Sequence, residues 1–365
     1  MSEPLAAPSS PSGATDLGCV ASRVVVIVPN WNGKGYLEAC LRSLVAQDFT
    51  DHTVILVDNG SRDGSLEYVQ REFPQVRVIA NETNLGFAKA NNQALVASRS
   101  EFVATLNNDA WADPKWLGEL VRAMEAHPQV GMCASKMLLT DQAGVVDSAG
   151  IAVDRVGIAW GLDGGASDDG LPSAPVPVFS PCAGAALYRR AMLDEIGLFD
   201  EDFFAYLEDV DLAWRAQWAG WGCLIVPSAV VYHAHSATSR EGYLTRKSRL
   251  LGRNKAWMVC KNYPFPAMLW YAPLILAYDL MALGYALTTG YGFSALQGRI
   301  EAIGAIPRML AKRRALIRRI SPRAMLARLF PIENPLAVLH RYRHLLFPPR
   351  GRGGRADQRG AVRSG

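Results

Sequence analysis

Apolar, β-branched runs alternate with segments of helical spacing from Arg23 onward, and this alternation constrains the fold more than any other feature of the chain. RVVVIVP (23–29) is continuous rather than alternating, the pattern of a strand buried on both faces. A helical pattern follows from Tyr36 to Gln47, then a second strand, HTVILVD (52–58), a helix over Ser65–Phe73 and a third strand, VRVIA (76–80). Gly86–Ala97 is helical, FVATL (102–106) is a fourth strand, and VGMCASKM (130–137) a fifth. Between the last two, Asp113-Pro114 has the form of an N-cap with proline at the first helical position, opening a helix that ends near His127. Strand and helix in strict succession with short connections predict βαβ units and a mostly parallel central sheet flanked by helices.

Beyond the fifth strand the pattern loosens. Residues 161–178 are rich in Gly, Asp and Pro and are expected to form a long loop or linker. Regular structure is expected again over Ala185–Ile196, as a helix from about Glu208 to Trp218, and as two short strands, Cys223–Val226 and Ala229–Tyr232. With 50% hydrophobic and 20% charged residues the chain has material for a large core, which excludes global disorder. Residues 1–22 show neither the basic start nor the apolar core of a signal peptide, so a disordered tail and a cytosolic catalytic domain over 23–240 are expected. Six scattered cysteines, without a CxxC pair, fit reduced thiols.

Ligands of such sheets bind at the carboxyl ends of the strands, and four successive strand ends here are polar. They carry Pro29-Asn30-Trp31-Asn32-Gly33, then Asp58-Asn59-Gly60-Ser61, then Asn84-Leu85-Gly86 leading to Lys89, and Asn107-Asn108-Asp109. One such cluster is an ordinary turn; four at one edge point to a nucleotide pocket. No GxGxxG follows a strand and no GxxxxGK[ST] occurs, so dinucleotide and P-loop readings lose their main support.

The blocks VPNWNG, VDNGSRDGS, NLGFAKANN, LNNDA, GAALYRR, GLFDEDFFAYLEDVDLAWR and VVYHAHS, in order over about Val24 to Ser239, resemble glycosyltransferase family 2, and most closely its bacterial rhamnosyltransferase-like members. The resemblance implies a GT-A fold and an inverting transfer of a single sugar, rhamnose in those members, from a nucleotide-diphospho sugar to a glycan or lipid-linked acceptor in cell-surface polysaccharide synthesis. It implies a divalent cation, Mn2+ or Mg2+, on Asp109, the last position of an Asp-x-Asp element whose first carboxylate is here Asn107. His233, or else His235, is a second candidate ligand, and imidazole favours Mn2+; Asp109 as a turn cap and His233 as a loop hydrogen-bonder are the plainer alternatives. By the same resemblance Asp58 reads the base, since a carboxylate can accept the N3–H of uracil or thymine, which favours UDP- or dTDP-linked donors. Pro29, Asn30, Asn32, Asn84, Gly86, Asn107 and Lys89 are expected to line the nucleotide, Lys89 either on a phosphate or solvated. Asp209 matches the position of the general base, and Glu208 would bind acceptor or orient Asp209. Asp211 and Arg215, four apart on a helix, form a natural ion pair. Phe204 and Tyr206 would stack on an acceptor sugar or else pack in the core. Acceptor recognition is expected to involve 140–180. The competing class is a non-catalytic nucleotide- or sugar-binding module with a degenerate site.

The C-terminal part differs in charge and hydropathy. From Arg299 to the end the chain holds 16 Lys+Arg against 3 Asp+Glu, whereas the remainder is acidic. Nucleic acid is an unsuitable partner for so acidic a main body; an anionic membrane surface is the better one. Residues 267–290 are apolar over 24 positions, long enough to span a bilayer, but contain Pro273 and, near the middle, Asp279. Five aromatics, Trp270, Tyr271, Tyr278, Tyr285 and Tyr291, and a basic segment with Lys312, Arg313, Arg314, Arg318, Arg319, Arg323 and Arg328 suit an interface. A helical, membrane-associating region over 241–345, peripheral on the cytoplasmic face of the cell membrane, is therefore expected, followed by a basic disordered tail over 346–365. A buried hairpin and a true span are the alternatives.

Overall fold

The structure, a computed structural model, describes residues 22–234 and 242–338. His235, nearly all of the expected N-terminal tail and the whole tail over 346–365 lie outside the described residues.

The chain runs β1 (Val24–Asn30), α1 (Lys34–Val45), β2 (His52–Asp58), α2 (Ser65–Glu72), β3 (Arg77–Ala80), α3 (Phe87–Val96), β4 (Phe102–Leu106), β5 (Ala110–Ala112), α4 (Trp116–Ala126) and β6 (Val130–Leu139). The irregular middle holds β7 (Val146–Ser148), β8 (Ile151–Val153), β9 (Ala159–Gly161) and β10 (Val176–Pro177). Then come β11 (Ala185–Arg189), α5 (Arg190–Ile196), α6 (Glu208–Trp218) and β12 (Gly222–His233). Then follow α7 (Tyr243–Asn262), α8 (Ala267–Thr288), α9 (Gly292–Gly304), α10 (Ile306–Arg314) and α11 (Pro322–Ala327).

The main sheet has the order β10-β12-β6-β11-β4-β1-β2-β3. β1 pairs in parallel with β2 and β4, and β12 with β6, while β11 is antiparallel to both β4 and β6. Two reversals cancel, so β3, β2, β1, β4, β6 and β12 all run one way, as a GT-A fold requires. Val25 and Ile27 of β1 face one core, Val24, Val26 and Val28 the other, which is why the run is apolar at every position. The two strands expected near the end of the domain are one strand, β12, with a register shift between Val226 and Val230 where Pro227 cannot donate to the ladder. Helix α4 starts at Trp116, later than the Asp113-Pro114 signal; Asp113 still accepts the Lys115 N–H through its carboxylate (3.0 Å). Part of the expected loop 161–178 is structured, with β10 added to β12 and a one-turn 3₁₀ segment at Asp168–Gly170.

The C-terminal helices share the catalytic core: Trp257, Met258, Ala302, Met309, Met325 and Leu329 belong to the same apolar cluster as Trp214 and Phe203. At the α7–α9 crossing, a Cβ on Gly298 would run into the Arg249 backbone carbonyl, so glycine is what allows the approach. A buried ion network seals α7 to α6. Asp211 accepts from Arg215 (3.0 Å), Lys261 (2.8 Å) and Asn262 (2.7 Å), and Lys261 also reaches Asp200 (2.7 Å). The expected intrahelical Asp211–Arg215 pair is thus one edge of a larger cluster.

The basic segment differs from the expectation of a row of cations facing lipid. It is divided between α10, a non-helical stretch and α11, and several of its charges turn inward. Lys312 donates to Asp200 and Asp202, Arg313 to the carbonyls of Cys260 and Tyr263, Arg328 to Gln217; Arg319 pairs with Glu195 and Arg318 lies over the Trp218 ring. Lys312 and Arg319 find carboxylates on the segment before α6 and on α5, whereas Arg313 and Arg328 find the carbonyl and amide oxygens of α7 and α6. Helix α8, by contrast, is a single 22-residue helix, long and apolar enough to cross a membrane by length and composition, with only Tyr278 and Ala286 buried. Asp279 within it is neutralised by Arg299 of α9 through two bonds of 2.7 and 2.9 Å.

Candidate active site

The four polar strand ends are joined by hydrogen bonds into one edge. The β1–β2 register sets Asn30 opposite Asp58, and Asn30 Nδ2 donates to Asp58 Oδ1 (2.8 Å). Ser61 adds its hydroxyl to Oδ1 (2.6 Å) and its N–H to Oδ2 (2.9 Å). Asn108 Nδ2 donates to Asn30 Oδ1 (2.7 Å), tying the fourth strand end to the first. Gly33 makes this possible, since a Cβ there would collide with the Asn108 amide. Asn32, at φ 50, accepts the Arg62 N–H (2.7 Å), and Pro29 is half-buried beside it. Asp58 is 2% exposed, yet each of its oxygens has two acceptor positions and Oδ2 uses one. A donor N–H on a ligand can still be read there.

Asn84 Oδ1 accepts the Gly86 N–H (2.9 Å) and so shapes the entry to α3; Lys89 is exposed on the first turn of that helix. Asn107 donates its backbone N–H to Gly184 (2.8 Å), which sets the following residue pair at the edge.

Asp109 follows β4, is 6% exposed, and lies beside Ala110 of β5. Because β5 pairs with β12 with Ala110 opposite His233, the imidazole is delivered to Asp109 by strand register. His233 Nε2 is 3.2 Å from Asp109 Oδ1, and Nδ1 is 2.8 Å from Asp147 Oδ2. Asp147 comes from β7, which is carried against β6 and thereby against the end of β12. Burial alone would favour neutral imidazole, but the hydrogen bonds the ring donates to the two carboxylates outweigh it and raise the His233 pKa to about 10. The pair of acids therefore favours positive charge at this point; with a cation bound, His233 would give up its Nε2 proton and the cation would supply that charge.

These donors fit a divalent cation. The two ligand atoms, 3.2 Å apart, are close to the ~3.0 Å between neighbouring corners of an octahedron with bonds of about 2.1 Å. A carboxylate on the far ring nitrogen is the usual device for fixing a histidine ligand. Among the described residues no cluster of three or more His, Cys, Asp or Glu forms a self-sufficient metal site, so phosphate oxygens and water would have to complete the shell.

The acidic motif opens α6. The backbone before it is strained: Phe204, Tyr206 and Leu207 all have φ between 64 and 69°. Non-glycine residues there cost on the order of 1–3 kcal/mol each. Asn254 of α7 holds the segment in place, its Nδ2 donating to the carbonyls of Phe203 (3.0 Å), Ala205 (2.9 Å) and Tyr206 (2.7 Å); Arg253 adds the carbonyls of Asp202 and Phe203. Phe203 is core. Phe204 is half-buried, packs where a Gly86 Cβ would be, and lies under the Arg246 guanidinium (5.7 Å). Tyr206 lies under Lys247 (5.9 Å).

Asp209 is half-buried and accepts the N–H groups of Ala183 (3.1 Å) and Val210 (2.8 Å). Glu208 is 5% exposed and its Oε2 has no hydrogen-bond partner among the described residues. Burial, with the charge of Asp209 beside it, pushes Glu208 well above the usual carboxylate range. Burial raises Asp209 too, against the opposing N–H bonds. Of the two neighbouring carboxyls, Asp209 has N–H donors that favour its charged form and Glu208 Oε2 has none among the described residues. The Cys182 thiol is pushed up by burial, with Asp209, Asp147 and Glu208 adding to the effect.

Asp58, Asp109 and His233 thus stand at the ends of the sheet strands, and Glu208 and Asp209 open α6, with Asp209 bonded to Ala183 in the loop before β11. Sequence reading missed Asp147 and Asn254; no motif surrounds either residue.

The family model described as glycosyl transferase family 2 matches residues 25–197. The chain is 28% identical over 236 residues to an N-acetylglucosaminyl-diphospho-decaprenol L-rhamnosyltransferase of Mycobacterium tuberculosis, covering 58% of this chain and 76% of the relative. It is 28% identical over 260 residues to the O-antigen biosynthesis protein RfbC of Myxococcus xanthus, covering 67% of this chain and 20% of that one. Among solved structures it resembles a mannosyltransferase from Pyrobaculum calidifontis in complex with GDP-Man and Mn2+, with a TM-score of 0.50 and 20% identity over 84% of this chain and 86% of the other, a likeness of fold.

Proposed function

Starting from membership of glycosyl transferase family 2, which residues 25–197 establish, we propose that this nucleotide-sugar-dependent enzyme is a metal-dependent, inverting transferase that moves one sugar, rhamnose by its similarity to the mycobacterial relative, onto a lipid-linked glycan. The observation that carries the reading is the Asp109–His233–Asp147 array beside the Asp58–Asn30–Asn108 network.

Asp58 accepts the N3–H of uracil or thymine with its remaining lone pair, which favours UDP- and dTDP-linked donors. Asn30, Asn32 and Pro29 bound the nucleoside; Asn84, Gly86, Lys89 and Asn107 bound its ribose and phosphates. A divalent cation held by Asp109 and His233 would neutralise the leaving diphosphate. The half-buried Asp209, fixed by the Ala183 and Val210 N–H groups, takes the acceptor hydroxyl's proton as its oxygen bonds to the anomeric carbon and the bond to the nucleoside diphosphate breaks. Glu208, whose buried carboxyl favours the protonated form, binds the acceptor or orients Asp209. A single carboxylate acting on the attacking oxygen gives inversion. Phe204 and Tyr206, held in their strained segment, form the acceptor side.

Residues 23–240 act as the catalytic domain. Region 241–345 sets the exposed apolar face of α8 into the cytoplasmic surface of the membrane, as a monotopic attachment. The test is a screen of UDP-, dTDP- and GDP-sugars, with Mn2+, for thermal stabilisation of the full chain. A shift with a uridine or thymidine donor is expected; stabilisation by none of them would overturn the reading.

A further inference from the structure

Behind the acidic motif a second cavity, of about 100 Å³, lies between α7, α8, α9 and the β8–β9 hairpin. That is well beyond the ~10–15 Å³ one water needs. Leu207, the residue before Glu208, forms one wall; Leu251, Tyr285 and Ala286 are among the others. Lys255 of α7 also lines it, 9% exposed, and its ammonium has no hydrogen-bond partner among the described residues.

An unpaired ammonium in such a place is a standing penalty on the fold. Burial lowers the Lys255 pKa, and the two nearby carboxylates, Asp279 and Asp154, offset this only from a distance, with no hydrogen bond to the ammonium. Asp279 is engaged by Arg299 through two bonds, and Arg299 is a cation itself. Asp154 uses Oδ1 on the N–H groups of Val156 and Ile158, makes no direct bond to Lys255, and is pushed up by burial to about 6. Of the charges at the cavity, Lys255 is the one left over. The helix that closes the cavity, α8, presents Leu276 and Leu280 to the outside, at 59% and 57% exposure. One wall thus touches the base-bearing motif and another is continuous with the most apolar surface of the chain.

We propose that this cavity takes the phosphoryl head of the lipid-linked acceptor, with Lys255 as its counter-ion, while the lipid chain lies along α8 and the sugar end reaches Glu208-Asp209. The inference rests on the lipid-linked-acceptor reading above. It makes Lys255 a residue kept for a ligand at the expense of stability.

The test uses the full chain, Lys255→Met and Lys255→Arg, without metal, and three probes: farnesyl diphosphate, farnesol and inorganic pyrophosphate. Farnesyl diphosphate should bind the native protein and Lys255→Arg, and bind Lys255→Met roughly tenfold or more weakly, as loss of a buried charged contact requires. Farnesol should not distinguish the variants, and pyrophosphate should compete only weakly. Unliganded Lys255→Met should melt a few degrees higher than the native protein. Equal farnesyl diphosphate binding by Lys255→Met, a lowered melting point for it, or pyrophosphate binding as tight as that of farnesyl diphosphate would each overturn the proposal. Nucleotide-sugar stabilisation with Mn2+, measured on the same samples, separates the two readings: its absence in the native protein sinks the proposed function, whereas its presence without farnesyl diphosphate binding sinks this inference alone.

Discussion

His233 is fixed from both sides, and its two carboxylates have different tasks. Asp109 faces the space where a diphosphate would sit; Asp147 holds the ring from behind at 2.8 Å. Asp147→Asn removes the negative charge that orients and enriches the imidazole. Such changes behind a ligand weaken metal affinity by about 10–100-fold. The expected result is a Mn2+ requirement for donor binding shifted to that extent, with binding recovered at saturating Mn2+; an unchanged Mn2+ titration would remove Asp147 from the site. The two acids at the start of α6 make a second contrast. If Glu208 is held protonated, Glu208→Gln keeps its hydrogen-bonding role and lowers turnover by less than about tenfold, whereas Asp209→Asn removes the base and lowers it by about 10²–10⁴-fold. Equal losses, measured as kcat with donor affinity followed separately, would contradict the division of roles. Asp58, Asp109, His233 and Asp209 were legible in the sequence because each ends a strand or opens a helix whose pattern was plain. Asp147 was not: it is 86 residues from His233, and only the β7–β6–β12 pairing brings it there.

Among the elements, α7 has the largest unannounced role. It supplies Asn254, whose amide bonds three carbonyls of the segment that aims the acidic motif. Asn254→Ala frees a strained segment with three residues at positive φ. The expected outcome is a fall in kcat of at least tenfold with a smaller loss of donor affinity, because Phe204 of that segment packs on Gly86 and accepts the Ala88 N–H at the start of α3, while the Asp58–Asn30–Asn108 bonds involve no residue of it. A parallel loss of donor binding would mean that α7 supports the whole fold instead. The alternating core elements could be read in advance since a strand buried on both faces has no polar position to obscure it. The basic segment could not: sequence gives the sign of its charges, and only packing shows that Lys312, Arg313 and Arg328 turn toward acidic or carbonyl-rich surface. β12 was divided in two for a related reason, since Pro227-Ser228 is punctuation in sequence and only a bulge in the sheet.

At the scale of the whole molecule, the donor edge, the acidic motif and α8 form a path from water toward an apolar surface. Asp279 does not interrupt that surface, because Arg299 neutralises it. Leu276 and Leu280, one turn apart and exposed, are the positions at which to break it. The full chain should float with vesicles containing anionic lipid and resist a high-salt wash, since the apolar face rather than the inward-turned basic segment carries the attachment. Changing both leucines to Glu should release it while leaving nucleotide-sugar binding intact. A native protein that stays in the soluble fraction at low salt would end the membrane reading. The central claim is metal-assisted transfer from a nucleotide sugar at the Asp109–His233 edge. It is tested most directly by following sugar transfer from the donor that stabilises the protein to a polyisoprenyl-diphospho-N-acetylglucosamine in detergent, before and after chelation. Transfer should stop with EDTA, return on titration with Mn2+, and remain absent at every Mn2+ concentration in Asp109→Asn; transfer that continues undiminished in EDTA, or in Asp109→Asn, would contradict the account.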